Sequence, residues 1–195
     1  MPYIHSLAHP ASNPGKEEKS FKRGELIHHV ADDGPVWRVV EGAVRLDLHD
    51  AEGMTFASLA LPGDMLGLES LVFGHYGFTA RALTPCVLAL RAADDPAPLA
   101  QMAATTRRAA QVVALRSGRA AERVQRLVQL LTDNGARPLA GKRRLLPRLA
   151  DIAEITDLTV ETVCRTTAGL DTEGGLPHRT RQKPGQSRAP QLLAA

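Results

Sequence analysis

The sequence predicts an α+β chain: an N-terminal jelly-roll β-barrel, a long connecting helix and a C-terminal helix-turn-helix. Three observations carry that prediction. Between Phe21 and Arg91 the apolar residues alternate in short runs broken by Gly24, Gly42, Gly63 and Gly67, the pattern of several short strands folding into a sandwich or barrel. From Leu99 onward the apolar spacing becomes helical. Near the C-terminus two short amphipathic stretches are separated by only a few turn residues.

Composition narrows the classes. The chain has 195 residues and 44% hydrophobic residues, enough for a core. No apolar run reaches 18 residues, so no membrane span is expected. Residues 1–22 lack the apolar stretch of a secretory signal. Cys86 and Cys164 are the only thiols and form neither a disulfide framework nor a metal-spaced set, which suits a reducing cytoplasm. The net charge of +3 hides an asymmetry. Residues 1–99 hold 8 Lys/Arg against 13 Asp/Glu, and residues 100–195 hold 16 against 8. Only the second half is built to meet a polyanion. Every aromatic residue lies at or before Phe78. The basic half therefore has no stacking platform for single strands, and duplex DNA fits it better.

In chain order, residues 1–20 read as a flexible arm with Pro2, Pro10 and Pro14 and a Lys16-Glu17-Glu18-Lys19 cluster. His5 and His9 are spaced i, i+4, but the prolines around them argue against a metal-holding helix. Residues 21–93 form the barrel. Val44, Leu46 and Leu48 alternate with Arg45, Asp47 and His49, which predicts a strand with one buried and one wet face. Asp50-Ala51-Glu52-Gly53 turns the chain, and Met54 to Leu61 return as the hairpin partner. Asp94-Asp95-Pro96 opens a helical segment, residues 94–135, where acidic residues and Pro suit a helix start. Met102, Thr106, Ala109 and Val113 make a thin stripe on its first helix. After Gly118, the residues Ala121, Val124, Leu127, Val128 and Leu131 make a stronger one, ending at an Asn134-Gly135 cap. Arg107, Arg108, Arg116, Arg119, Arg123 and Arg126 decorate both helices; a solvated face is the default for most of them, and phosphate contact is the alternative. Residues 136–176 begin with a basic linker, Lys142-Arg143-Arg144, and hold the helix-turn-helix. Leu149, Ile152 and Ile155 mark its first helix, which ends at Thr156-Asp157, and Asp tolerates the left-handed geometry of such a turn. Thr159 is the expected N-cap of the second helix. There Val160, Val163 and Leu170 share one face, and Glu161, Cys164, Arg165 and Ala168 the other. Residues 177–195 carry prolines and no alternation and read as a disordered tail.

The run Ala150-Asp151-Ile152 through Leu158-Thr159-Val160-Glu161-Thr162-Val163-Cys164-Arg165 resembles the recognition module of the Crp/Fnr transcription regulators, and the Fnr branch in particular. Cys164 stands where that branch has Ser, and Asp157 where it usually has Gly. Gly63-Asp64-Met65-Leu66-Gly67, Gly74-His75, Ala80-Arg81-Ala82-Leu83 and the Glu41-Gly42-Ala43-Val44 turn are similar to the branch's cyclic-nucleotide-binding-like sensor barrel. The resemblance covers roughly residues 21 to 176 in the family's order. It implies a dimer formed through the connecting helix, and an effector pocket among Gly67, Glu69, His75, Tyr76 and Arg81. It also implies a wing after the second helix, which the Asp171–Ala195 sequence does not supply. Members that bind cyclic AMP carry an Arg-Ser pair in the phosphate cassette, and here the equivalent stretch reads Tyr76-Gly77. The Fnr branch proper holds an iron–sulfur cluster through cysteines, and residues 1–85 contain none. Neither cofactor is expected, and the resemblance is to the cluster-free FixK type.

The resulting expectation is a cytoplasmic, non-enzymatic, homodimeric regulator that binds double-stranded DNA and works with RNA polymerase. Thr159, Glu161, Thr162, Cys164 and Arg165 would form the reading face on a TTGAT-like palindrome, with Lys142, Arg143 and Arg144 adding phosphate affinity. Cys164, beside Arg165 in the first turns of a helix, is also a candidate redox switch. Two alternatives stand beside this. A cupin-like metal enzyme would need His ligands to converge, yet His28 and His29 are adjacent on one strand and His49 and His75 stand alone. A wing-less remnant would act as a non-DNA regulatory module.

Overall fold

The computed structural model describes residues 17–92, 98–134 and 146–172. The expectations for residues 1–16, for the Lys142-Arg143-Arg144 linker, for Gly135, for the Leu170 side chain and for the tail lie outside what is described.

Eight strands form two antiparallel four-stranded sheets. One is ordered β1 (Glu18–Phe21), β8 (Cys86–Leu90), β3 (Trp37–Glu41), β6 (Met65–Leu66), and the other β2 (Leu26–His28), β7 (Thr79–Ala82), β4 (Val44–Asp50), β5 (Gly53–Ala60). The expected hairpin is β4–β5, closing Asp50 against Gly53. The arm predicted over 1–20 ends earlier than expected, because residues 18–20 pair with β8 and Lys19 lies 5.0 Å over the Trp37 ring. Trp37, Val39, Val44, Leu66, Ala80, Ala82, Cys86 and Leu88 fill the space between the sheets. Gly42 has to be glycine: its φ is +81°, and a Cβ there would sit 2.2 Å from the Pro85 carbonyl.

β4 departs from expectation. Val44 is buried in the barrel, but the supposedly wet face is buried too, with Arg45 at 2% and Asp47 at 0% exposure, while Leu48 is 45% exposed. Helices cover that outer face. They are α2 (Pro98–Leu115), α3 (Ala120–Asp133), α4 (Leu149–Thr156) and α5 (Val160–Thr172), with a four-residue turn of helix, α1 (Ser70–Phe73), inside the barrel segment. A second apolar cluster joins Phe56, Leu59, Leu61 and Leu83 of the barrel to Val112, Leu115, Val124, Leu127, Leu131, Ile152, Ile155 and Val163 of the helices. The stronger stripe of α3 thus packs as predicted, Ala121 apart, which faces solvent. On α2 the predicted stripe of Met102, Thr106, Ala109 and Val113 is exposed along its length, and the opposite face is buried.

Four of the helix arginines are committed within the chain. Arg126 donates to the carbonyls of Ala114 and Ser117, at the end of α2. Arg123 donates to Thr156 O at 3.2 Å and Asp157 O at 3.3 Å, at the end of α4. Arg116 reaches Ile155 O at 3.4 Å and lies over the Phe56 ring. Arg108 is buried against Asp64 at 3.0 Å. The reading of these four as phosphate contacts is corrected: Arg116, Arg123 and Arg126 satisfy carbonyls at helix C-termini, and Arg108 is spent on the Asp64 carboxylate.

Candidate nucleic-acid interface

α4 and α5 are joined by Asp157-Leu158-Thr159. Asp157 takes the left-handed geometry expected of it, φ 53° and ψ 55°, and Leu158 N–H closes the turn on the Ala153 carbonyl at 2.9 Å. Thr159 caps α5: its Oγ1 accepts from the Thr162 N–H at 3.2 Å and lies 2.9 Å from the Thr162 hydroxyl. Ile152, Ile155 and Val163 are buried, which fixes the pair against α3. Two predicted core positions are exposed instead, Leu149 at 41% and Val160 at 48%, because each opens its helix beyond the edge of the covering elements.

The outward face of α5 gathers Glu161, Cys164, Arg165 and Ala168, all exposed, with Thr162 half-buried at its start. Glu161 and Arg165 approach to 3.9 Å as an open i, i+4 pair. Such a pair contributes little to stability, so both side chains stay available to a partner. The face presents a carboxylate acceptor, a guanidinium fork, a thiol and a hydroxyl within two turns, which is the donor and acceptor set that distinguishes base edges in a major groove.

The predicted effector residues divide. Gly67, Glu69 and Tyr76 lie together. The Tyr76 ring, 2% exposed, occupies the space that side chains at Gly34 and Gly67 would need, and its hydroxyl donates to Pro35 O at 2.7 Å. Glu69 accepts from the Gly77 N–H at 3.1 Å. His75 is exposed beside Phe73. Arg81 lies elsewhere: Ala80 and Ala82 point into the barrel, and Arg81 points out of it, to Asp47 at 3.2 Å. A cyclic phosphate needs a cation, and residues 67–77 hold no Lys or Arg. Arg81 is turned away, Glu69 is present and the Tyr76 ring fills the space beside Gly67.

Sequence reasoning missed His28. Its ring stacks on Tyr76 with centroids 3.7 Å apart, 7% exposed, and neither ring nitrogen makes a hydrogen bond of normal geometry. Burial holds its pKa below the ordinary imidazole value, against the opposing pull of the His29 backbone and the Glu69 and Asp32 carboxylates. Cys86 is buried and its thiol is pushed up to about 12 by burial and by Glu25. Cys164 is the exposed thiol. Among the described residues no three His, Cys, Asp or Glu side chains converge to hold a metal, and no helix is long and apolar enough to cross a membrane.

Residues 18–96 match the cyclic nucleotide-binding domain family. No curated protein sequence matches the chain. Among solved structures, a CRP-family transcriptional regulator from Thermus thermophilus is 28% identical, with a TM-score of 0.63 over 80% of this chain and 85% of that one. A CRP/FNR-family transcriptional regulator of the same organism is 25% identical, with a TM-score of 0.59 over 81% and 87%. FixK2 from Bradyrhizobium japonicum is 28% identical, with a TM-score of 0.59 over 81% and 85%. The barrel therefore folds as a cyclic-nucleotide-binding-like domain, and over about four fifths of its length the chain is built like the CRP/FNR-family transcriptional regulators.

Proposed function

We propose that the chain is a cytoplasmic, sequence-specific DNA-binding regulator of the Crp/Fnr type, nearest the cluster-free FixK branch, that reads a palindrome as a homodimer. The observation that carries this is the capped helix α5, held by a buried inner face and offering Glu161, Thr162, Cys164 and Arg165 outward. α4–turn–α5 then works as a helix-turn-helix, and two recognition helices enter major grooves one helical turn apart. The exposed face of α2, with Met102 at 64% and Val113 at 68%, is where two chains would pair. Arg165 donates two bonds to a guanine edge and Glu161 accepts from a cytosine amine. RNA polymerase is the natural further partner of such a regulator.

The barrel, in this reading, senses neither cyclic AMP nor an iron–sulfur state. What supports the first point is the cassette itself, with a carboxylate and a packed tyrosine in place of a cation. Cys164 replaces a hydroxyl with a weaker donor and places an oxidisable group at the DNA surface.

The test is fluorescence anisotropy of a TTGAT-N4-ATCAA duplex against a scrambled one at physiological salt. Preference for the palindrome is expected. Arg165→Ala should cost about 1–3 kcal/mol and relax discrimination at one base pair. Peroxide treatment of the native protein should weaken the preference, and Cys164→Ser should abolish that sensitivity. Equal affinity for both duplexes would refute the sequence-specific reading.

A further inference from the structure

Among the described residues, the outer face of the barrel carries a charged cluster that meets α4. Arg45 and Arg81 are direct cross-strand neighbours on β4 and β7. Asp47 bridges them, at 2.5 Å from Arg45 Nε and 3.2 Å from Arg81. Arg45 spends its remaining nitrogens on α4: Nη1 on Asp151 at 3.3 Å, and Nη2 on Glu154. Its guanidinium also lies over the Phe56 ring, 5.6 Å from the centroid, with Arg116 over the same ring. The Arg45–Asp47 pair is buried and Glu154 is half-exposed, so the cluster contributes little net stability: desolvation offsets attraction at one end and solvent screens it at the other. What it does supply is geometry. A planar fork with each nitrogen matched to a carboxylate tolerates neither a rotation nor a slide of the helix that carries the carboxylates. The apolar cluster beneath α4 has no such directionality.

The chain just before α4 is held by the barrel as well. Arg23, in the β1–β2 turn, donates to Leu146 O at 3.0 Å, and the Arg148 guanidinium packs over Gly24. The barrel therefore grips the chain just before α4 and along it. The gripping cluster also has a root near the cassette, since β7 follows Tyr76 by three residues and carries Arg81.

We infer that Arg45 is a positioning residue for DNA recognition: by clasping Asp151 and Glu154 it sets the attitude of α4, and through it of α5, relative to the barrel. The inference rests on the DNA-binding reading for its consequence, and on the ion-pair geometry alone for the clasp. Two natural reporters separate these. Trp37 is the only tryptophan, buried in the barrel, and Cys164 is the exposed thiol, on α5. A fluorescent acceptor on Cys164 makes energy transfer from Trp37 a DNA-free measure of the attitude of α5.

The experiment compares the native chain with Glu154→Gln, with Asp151→Asn/Glu154→Gln, and with Asp151→Lys/Glu154→Lys. Circular dichroism confirms folding of each. The single substitution keeps Asp151 at the start of α4, so its effect is not one of helix stability. Transfer should shift in Glu154→Gln and shift further in the double variant and in the lysine pair, which sets two cations against Arg45. Unlabelled Asp151→Asn/Glu154→Gln should lose about tenfold in palindrome affinity, within the roughly 5- to 150-fold range of site coupling, and keep its affinity for the scrambled duplex. Native transfer in both neutral variants would overturn the clasp. Altered transfer with full palindrome affinity would overturn its role in recognition. A native chain blind to the palindrome would instead refute the DNA-binding reading, with the transfer result still deciding the clasp.

Discussion

His28 shows how a single side chain sets a condition on the whole barrel. It sits at the end of β2, stacked on Tyr76 and removed from water. Its pKa is lowered in the fold, first by burial. In the unfolded chain it returns to the ordinary value of 6.5. Below that value the unfolded chain takes up a proton that the folded chain resists, so acid favours unfolding. The contribution of His28 is therefore complete above the unfolded pKa and is lost as pH falls below it. The urea midpoint should drop between about pH 7 and pH 5.5, the window in which imidazole titrates. His28→Phe keeps the stack and removes the titration, and should flatten that slope. Identical slopes in the two proteins would show that His28 is not the group responsible. None of this was legible in the sequence. Two adjacent histidines on a strand announce opposite faces, and the partner that buries one of them, Tyr76, is remote in sequence.

Elements were legible where their signals are local. The αL turn at Asp157, the Thr159 cap and the β4–β5 hairpin all follow from chemistry within a few residues. The cap can be tested as such. Thr159→Ala removes the acceptor for the Thr162 N–H and should cost about 1 kcal/mol in denaturant, with Thr159→Ser restoring most of it. Because the cap sets where α5 begins, the palindrome preference should fall along with stability. What local pattern could not reveal is which surface covers which. The alternation in β4 correctly separates Val44 from Arg45 and Asp47, but period two says nothing about the far face. The residues that bury Arg45 stand 106 and 109 positions downstream. A signal was nevertheless present: Asp151 and Glu154 share a face of α4 at i, i+3, beside the buried Ile152 and Ile155, and two carboxylates at the margin of a buried face can meet a cation from the element that covers it. The helix arginines misled for a related reason. Counting charge does not distinguish a guanidinium facing solvent from one that closes a helix end, and Arg123 and Arg126 do the latter.

At the scale of the molecule, barrel and helices share an apolar cluster that lies beside the barrel's own. Leu127 of α3 is fully buried, and its cluster includes Phe56, Leu59 and Leu61 from the barrel as well as Ile152, Ile155 and Val163 from the α4–α5 pair. The strands and α5 are therefore not independently stabilised, since truncating Leu127 loosens a cluster to which both contribute. Leu127→Ala should cost about 2–5 kcal/mol, the range for a large apolar side chain lost from a close-packed site. The form of the loss matters more than its size. If the shared core makes the chain one cooperative unit, Trp37 fluorescence in the barrel and an acceptor at Cys164 on α5 will report the same midpoint, and both midpoints will move together in the variant. If the α4–α5 pair melts alone, the Cys164 signal will shift to lower denaturant while Trp37 holds its native midpoint. Cooperative loss is expected from the way the elements lean on one another. α3 packs against both α4 and α5, and α2 packs against β5 of the barrel as well as against α3 and α4, so the α4–α5 pair has no core separate from the one it shares with the strands.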